Sequence, residues 1–246
     1  MKKLLLLLIA GFMISGSLQA QIHLFLEEQE VILSDGKATG WVFPIPRNLE
    51  EALDDLKDYC KDRSDVKLKK GGDNVLIAER ISMPTLSTKR GDLIGYAFIS
   101  EQYYAMALVF KLGYDISVTS QEWPQEAESL RNYAKAFMSY HYEQSYARKV
   151  EVLEKELKDL EKDKNQNEKK IGNLTDKINN LGKKIGKETD TAKIESYEAE
   201  INTMEADVRQ LMDTLPGLEA QIAERKGQVN QYKTESNTYQ STIGTF

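Results

Sequence analysis

From Val150 onward, apolar side chains recur at alternating intervals of three and four residues. The first run reads Val150, Leu153, Leu157, Leu160, Lys164, Asn167, Ile171, Leu174, Ile178, Leu181 and Ile185, with polar residues at Lys164 and Asn167. The second reads Ile194, Tyr197, Ile201, Met204, Val208, Leu211, Leu215, Leu218, Ile222, Arg225, Val229, Tyr232, Ser236, Tyr239 and Ile243. Such spacing lays one narrow stripe along a helix, and a stripe that narrow is buried only against a second helix. Between the runs, Gly186-Lys187-Glu188-Thr189-Asp190-Thr191 carries the glycine, charges and Asp/Thr cap of a helix stop followed by a helix start. The pattern predicts a helical hairpin that turns near residues 186–191. From Val150 to Ile185 the first arm measures roughly 54 Å at about 1.5 Å per residue.

Charge orients the two arms. Residues 169–187 hold six lysines and one acid, Asp176, for a net +5, while residues 190–213 hold seven acids against Lys193 and Arg209, for a net −5. A turn near Glu188 places the basic segment beside the acidic one. A parallel homodimer would instead set like charges together, so a monomeric antiparallel hairpin is expected. Pro216-Gly217 interrupts the return arm, because a proline inside a helix removes one hydrogen bond and costs about 3 kcal/mol. The heptad passes through Leu215 and Leu218 without a shift, which favours a kinked continuous arm over a reversal into a three-helix bundle. The break falls level with Lys164 and Asn167, and Tyr232, Tyr239 and Ile243 are expected to return to Tyr133–Tyr146.

Upstream, the period changes. Trp41, Phe43 and Ile45 alternate with Val42 and Pro44, predicting a strand that Pro44 and Pro46 push toward a sheet edge. Asn48 and Glu51 form a capping box for a helix whose face runs through Leu49, Ala52, Leu53, Leu56, Tyr59 and Cys60, ending near Asp62. Strands are then predicted at Val66–Leu68, at Val75–Ile81 after a turn at Gly71-Gly72-Asp73-Asn74, and at Leu93–Ile99. Tyr103–Val118 supplies one or two more, with Tyr114, Ile116 and Val118 in alternation. Both faces of Leu93–Leu112 are apolar, and the start of the long helix at Pro124 is the expected cover for the second face. The fold class is therefore α+β: a small antiparallel sheet with one helix, followed by a long antiparallel coiled-coil hairpin. The domains are residues 1–20, 21–122 and 123–246.

Composition places the chain outside the cytoplasm. Lys2 and Lys3, the apolar run Leu4–Met13 and the small and polar residues ending at Ala20 make a cleavable secretory signal, too short to span a bilayer. No stable membrane anchor is expected, and the location is periplasmic or secreted. Removing those two lysines from a formal charge of −6 leaves −8, which argues against nucleic acid as a partner. Cys60 is the one cysteine, so no internal disulfide forms, and its place among leucines reads as a small buried hydrophobe.

The sequence offers no recognisable catalytic constellation. His23 and His141 stand far apart and away from cysteine or carboxylate motifs, so no metal or other cofactor is implied. Gly71-Gly72 lacks the lysine signature of a phosphate loop, and no serine sits in a nucleophile elbow. Tyr133, Tyr140, Tyr142 and Tyr146 could form an aromatic surface, though packing explains them better. Asp190-Thr191-Ala192 and Asp213-Thr214-Leu215 match a bacterial O-glycosylation acceptor pattern, but the first, at the hairpin tip, is better explained as a helix cap, and Asn173-Leu174-Thr175 places the middle of an N-glycosylation sequon in the seam. No catalytic, cofactor-binding or metal-ligating residue is assigned.

Trp41–Val118, followed by the Glu122-Trp123-Pro124 helix start, resembles a group of small exported bacterial domains of unknown function whose fold is like that of the TATA-binding protein. The order of strand, helix, meander and terminal helix carries the resemblance, which spans about one hundred residues and implies no catalytic residues. The expected function is a non-enzymatic exported structural or adaptor protein that meets a protein partner through its coiled-coil arm. The alternative is a periplasmic peptide- or glycan-binding domain with the hairpin as spacer.

Overall fold

The computed structural model describes residues 24–46, 48–100, 103–113 and 116–246. The signal-peptide segment, His23 and Tyr114 lie outside these residues. The chain forms two compact units. One takes in residues up to Glu143 together with Tyr239–Phe246, and the other is Gln144–Thr238.

The first unit is built on a six-stranded antiparallel sheet: β1 (Glu27–Leu33), β2 (Gly36–Pro44), β3 (Lys69–Gly72), β4 (Val75–Ile81), β5 (Gly91–Ile99) and β6 (Tyr104–Lys111), in the order β1-β2-β6-β5-β4-β3. Helix α1 (Leu49–Ser64) follows β2, and a long helix, α2 (Pro124–Ile185), begins after β6. The return helix, α3 (Thr191–Gly244), ends in this unit.

Cross-strand register shows which face each helix covers. Trp41 pairs with Leu108, Leu108 with Gly95, and Phe43 with Met106, so these side chains share one face. On that face Trp41 Nε1 donates to the Ala127 carbonyl of α2 at 3.0 Å, and the Phe43 and Phe137 rings meet edge to face at 6.0 Å. A Cβ added to Gly95 would stand 2.2 Å from Leu56 of α1, so this glycine lets α1 settle onto β5. Both helices therefore lie on the same side, contrary to the expectation that the long helix covers the second face. Their contact is aromatic: Tyr59 of α1 meets Tyr133, Phe137 and Tyr140 of α2 within 5.5 Å. The Ala127, Leu130, Ala134, Phe137 stripe is completed by Met138, giving α2 a wider apolar face here than a coiled-coil seam provides.

The other face has its own core of Val31, Leu33, Ala38, Val42, Ile94, Ala105, Ala107 and Val109, bordered by half-buried Phe25, Tyr96, Phe98 and Tyr103. Leu33 of β1 and Val75 and Ile77 of β4 line one cavity of about 670 Å³. Those strands are four places apart, about 19 Å in a flat sheet, so the sheet curls toward this face.

Three local expectations are corrected. Trp41–Pro44 is not an edge strand, because β1, too acidic in Glu27-Glu28-Gln29-Glu30 to signal itself, pairs outside it. The β1 pairing stops at Glu27–Val42 while Pro44 still pairs with Ala105 of β6, so the missing proline N–H falls where no partner strand remains. Val66–Leu68 is not a strand. Asp65 turns left-handed at φ 51°, the Val66 N–H bonds to the Cys60 carbonyl, and the strand starts at Lys69, with Gly71 and Gly72 followed by a turn at Asp73-Asn74. The last alternation reduces to a bridge between Ser117 and Lys111.

At the β1–β2 turn, Lys111 Nζ donates to Asp35 Oδ2 at 2.7 Å, the lysine side chain being 5% exposed and the aspartate 55%. That hydrogen bond, ahead of opposing desolvation, holds the Asp35 carboxyl below its usual value. A carboxyl lowered on folding stabilises the chain above its unfolded pKa, near 3.9, and the contribution fades as pH falls through the folded value. Asp35→Asn should lower stability at pH 7 by about 1–2 kcal/mol, a figure discounted for the exposed partner, and the difference from wild type should shrink by pH 3 in urea unfolding.

Candidate interaction surface

The second unit is an antiparallel helix pair whose turn is assembled from backbone donors and two carboxylates. α2 unwinds through the Gly186 N–H to Gly182 carbonyl and Glu188 N–H to Ile185 carbonyl bonds, at 3.2 Å each. Glu188 then accepts the N–H groups of Thr189 and Asp190 at 3.1 and 3.2 Å, and Asp190 caps α3 by accepting from Ala192 N–H at 3.0 Å. The backbone donors hold the Glu188 carboxyl below its usual range.

Along the arms, every position of the two heptad runs from Leu153 to Tyr232 is at least partly buried, and Leu181 and Val229 are buried outright. The helix continues through Pro216, so the return arm does not reverse there. Asn167 Nδ2 donates to Thr214 Oγ1 at 3.1 Å, joining the polar seam position to the turn before the proline. Beside it, a groove of about 430 Å³ is lined by Asp163, Asn167, Lys170, Thr214, Gly217 and Leu218. A second, of about 490 Å³, continues past Lys170, Leu174 and Lys177 to Asp207 and Leu211.

Ion pairing across the arms is uneven. Glu154–Lys233, Glu156–Arg225, Glu161–Lys226 and Lys164–Glu219 join them at 2.8–2.9 Å. Among the described residues, no such pair joins the basic segment 169–187 to the acidic segment 190–213. The opposite signs do lie side by side, yet Lys170, Lys177, Glu200 and Asp207 are exposed and form no ion pair across the arms, while exposed Lys184 sits over Tyr197 of α3, its Nζ 5.7 Å from the ring centroid. The expectation of an antiparallel hairpin stands, while direct ion pairs between the arms occur in the proximal half, outside the two segments whose charges orient them.

No family model, curated protein or solved structure matches the chain.

In the first unit Asp55, Cys60 and His141 are buried where the helices pack. His141 Nδ1 lies 2.6 Å from Asp55 Oδ2, joining α2 to α1, with the imidazole 1% and the carboxylate 9% exposed. His141 Nε2 has no hydrogen-bond partner among the described residues, and the ring stacks on Phe137. A histidine–aspartate pair sealed in this way holds two helices together but offers no route for a substrate. Nothing in the local pattern signals it, since Asp55 reads as one more helix-surface acid. Cys60 is buried and accepts a hydrogen bond from the Tyr133 hydroxyl at 3.2 Å. Burial outweighs that bond and pushes the thiol up to about 11.

The four tyrosines divide. Tyr133 and Tyr140 pack on Tyr59, and Tyr142 meets Tyr239 at 5.1 Å in the first unit, while Tyr146 meets Tyr232 at 6.1 Å in the second. The return of the C-terminal tyrosines to this level is as expected. In the first unit Ser139 also bonds to Gln240, and Lys135 and Arg131 donate to the Gly244 and Phe246 carbonyls at 2.9 and 2.7 Å. Thr191 is exposed at the start of α3, whereas the Thr214 hydroxyl is engaged by Asn167 and the Leu211 carbonyl.

Two outcomes follow. The Cys60 thiol should resist Ellman's reagent at pH 8 in the native chain and react fully in denaturant, because both burial and the raised pKa withhold the thiolate. Pro216→Ala should stabilise the hairpin by up to about 3 kcal/mol, seen as a later helix-unfolding transition in urea by circular dichroism.

Proposed function

We propose that the protein is a non-enzymatic structural or adaptor protein of the cell envelope, exported through its N-terminal segment, and that its helical hairpin meets a protein partner. One observation carries this reading: the distal half of the hairpin holds two exposed tracks of opposite charge that form no ion pair with each other. Charges arranged for hairpin stability alone would be expected to close on one another, as they do between residues 154–164 and 219–233. Open tracks of fixed sign instead provide steering and register for an incoming surface. The absence of a catalytic constellation in the sequence, and the sealed state of the Asp55–His141 pair, fit a role without chemistry.

A second reading has its own support in the cavity of about 670 Å³ on the curled face of the sheet, floored by Val75, Ile77 and Ile94 and rimmed by Lys67, Lys69 and Lys70. A peptide or glycan held there would raise the melting temperature of the first unit, with the shift growing as the logarithm of its concentration above the dissociation constant.

Excision of residues 169–212, rejoined by a short turn, separates the two. If the hairpin is the contact, cross-linking in intact cells should lose the partner captured by the full chain while near-UV circular dichroism of the first unit persists. Retention of the same partner after the excision would transfer the role to the first unit.

A further inference from the structure

We infer that one flank of the distal hairpin is a docking surface for a second copy of this chain, an inference resting on the reading of the hairpin as the contact surface. With Val150 and Ile194 as heptad position a, Lys170, Lys177 and Lys184 all occupy position g of α2, and Glu200 and Asp207 occupy position g of α3. The opposite flank is closed at its proximal end by pairs between e positions, Glu161–Lys226 and Glu154–Lys233. Beyond the proximal Glu156–Arg225 pair the g flank carries no ion pair between the arms among the described residues, and the two grooves run along it from Asp163 and Gln221 to Lys177 and Asp207 over a floor of Leu174, Leu211 and Leu218.

Three facts select the occupant. The flank is charged on both sides of the groove with opposite signs, so a uniformly acidic polymer would meet the repulsion of Glu200 and Asp207 as soon as it reached the lysines. A uniformly basic partner meets the reverse. A surface with matched tracks of both signs satisfies both, and this flank is such a surface. A two-fold axis parallel to the hairpin sets α2 of one copy against α3 of the other, antiparallel and at the same level. That brings Lys177 to Asp207 of the second copy and Lys184 to Glu200, with each pair formed twice. Gly217, against which an added Cβ would meet nothing within 4 Å, keeps the groove wide beside Pro216. The copies cover the half-open leucine floor, and the hairpins form a four-helix layer in which every neighbour is antiparallel and opposite in sign.

The test is sedimentation velocity on the full chain across protein concentration and salt. A reversible dimer is expected whose dissociation constant rises at least about tenfold between 50 and 500 mM NaCl, because exposed pairs are screened. Lys177→Glu with Lys184→Glu should be monomeric, as should Glu200→Lys with Asp207→Lys, and an equimolar mixture of the two variants should recover a heterodimer. If these charges acted only between the arms of one molecule, both variants would lose hairpin stability and mixing them would restore nothing. Lys177→Gln with Lys184→Gln, checked for wild-type helicity, serves if a reversal unfolds the hairpin and should weaken the dimer in the same direction. A wild-type chain that stays monomeric at low salt, or charge variants that dimerise like wild type, would overturn the inference. A monomeric chain whose excision variant still loses its cellular partner would leave the adaptor reading in place and remove only the second copy.

Discussion

A helix with one narrow apolar stripe has to find a matching stripe along its whole length, and this constraint shapes the second unit. Each exposed seam leucine left in water would forgo about 1.5–3 kcal/mol of burial, far more than any surface ion pair in the unit contributes. The seam therefore supplies the stability, and the connection at Gly186–Asp190 makes the partner stripe part of the same molecule. Once α3 has folded back on α2, the e and g flanks no longer have to hold the arms together. Their charges become available for other uses, and the contrast between the paired proximal flank and the open distal one marks where that freedom lies.

The same helix meets a different demand at its start. From Ala127 to His141, α2 packs against α1 and the sheet, and here its apolar face is broad and aromatic. On another side, Arg131, Lys135, Ser139 and Tyr142 receive the end of α3. The first unit thus gains a C-terminal element from residues almost one hundred positions beyond its own helix. It has two cores, one under the helices and one on the curled face, because a sheet whose β6 reads Ala-Met-Ala-Leu-Val-Phe is apolar on both sides.

Legibility followed the strength of local periodicity. The hairpin, its turn and the C-terminal tyrosine contacts were readable because a heptad repeated over many turns leaves few alternatives. The helix start at Pro124 and the Asn48 cap were readable because each has a local chemical cause, the Asn48 side chain accepting the Glu51 N–H at 3.1 Å. β1 was not, since four polar residues precede Val31 and Leu33 and its strand character comes from pairing with β2. The placement of α2 is not legible for a related reason: periodicity tells how wide an apolar face is, but not which of two apolar sheet faces it will choose. The Trp41 indole bond to Ala127 and the close fit of Leu56 over Gly95 decide that choice, and both are contacts across long sequence separations.

Charge patterning was legible in sign and misleading in contact. Net charges of +5 and −5 on facing segments correctly orient the arms, because the sum of many weak interactions discriminates a parallel from an antiparallel alignment even when no single pair closes. Direct pairing is a stricter condition, requiring two long side chains to give up rotamer freedom for a few tenths of a kcal/mol in water. Where a charge is anchored close to its partner, as with Arg225 and Glu156 at 2.8 Å, that condition is met. Along the distal g flank, the grooves hold the walls apart, so Lys177 and Asp207 border a common space without touching. Side chains in that situation keep their conformational freedom until something enters the space between them. Ordering them is then part of the association itself, which makes the distal flank better suited to reversible, salt-sensitive contact than to permanent assembly.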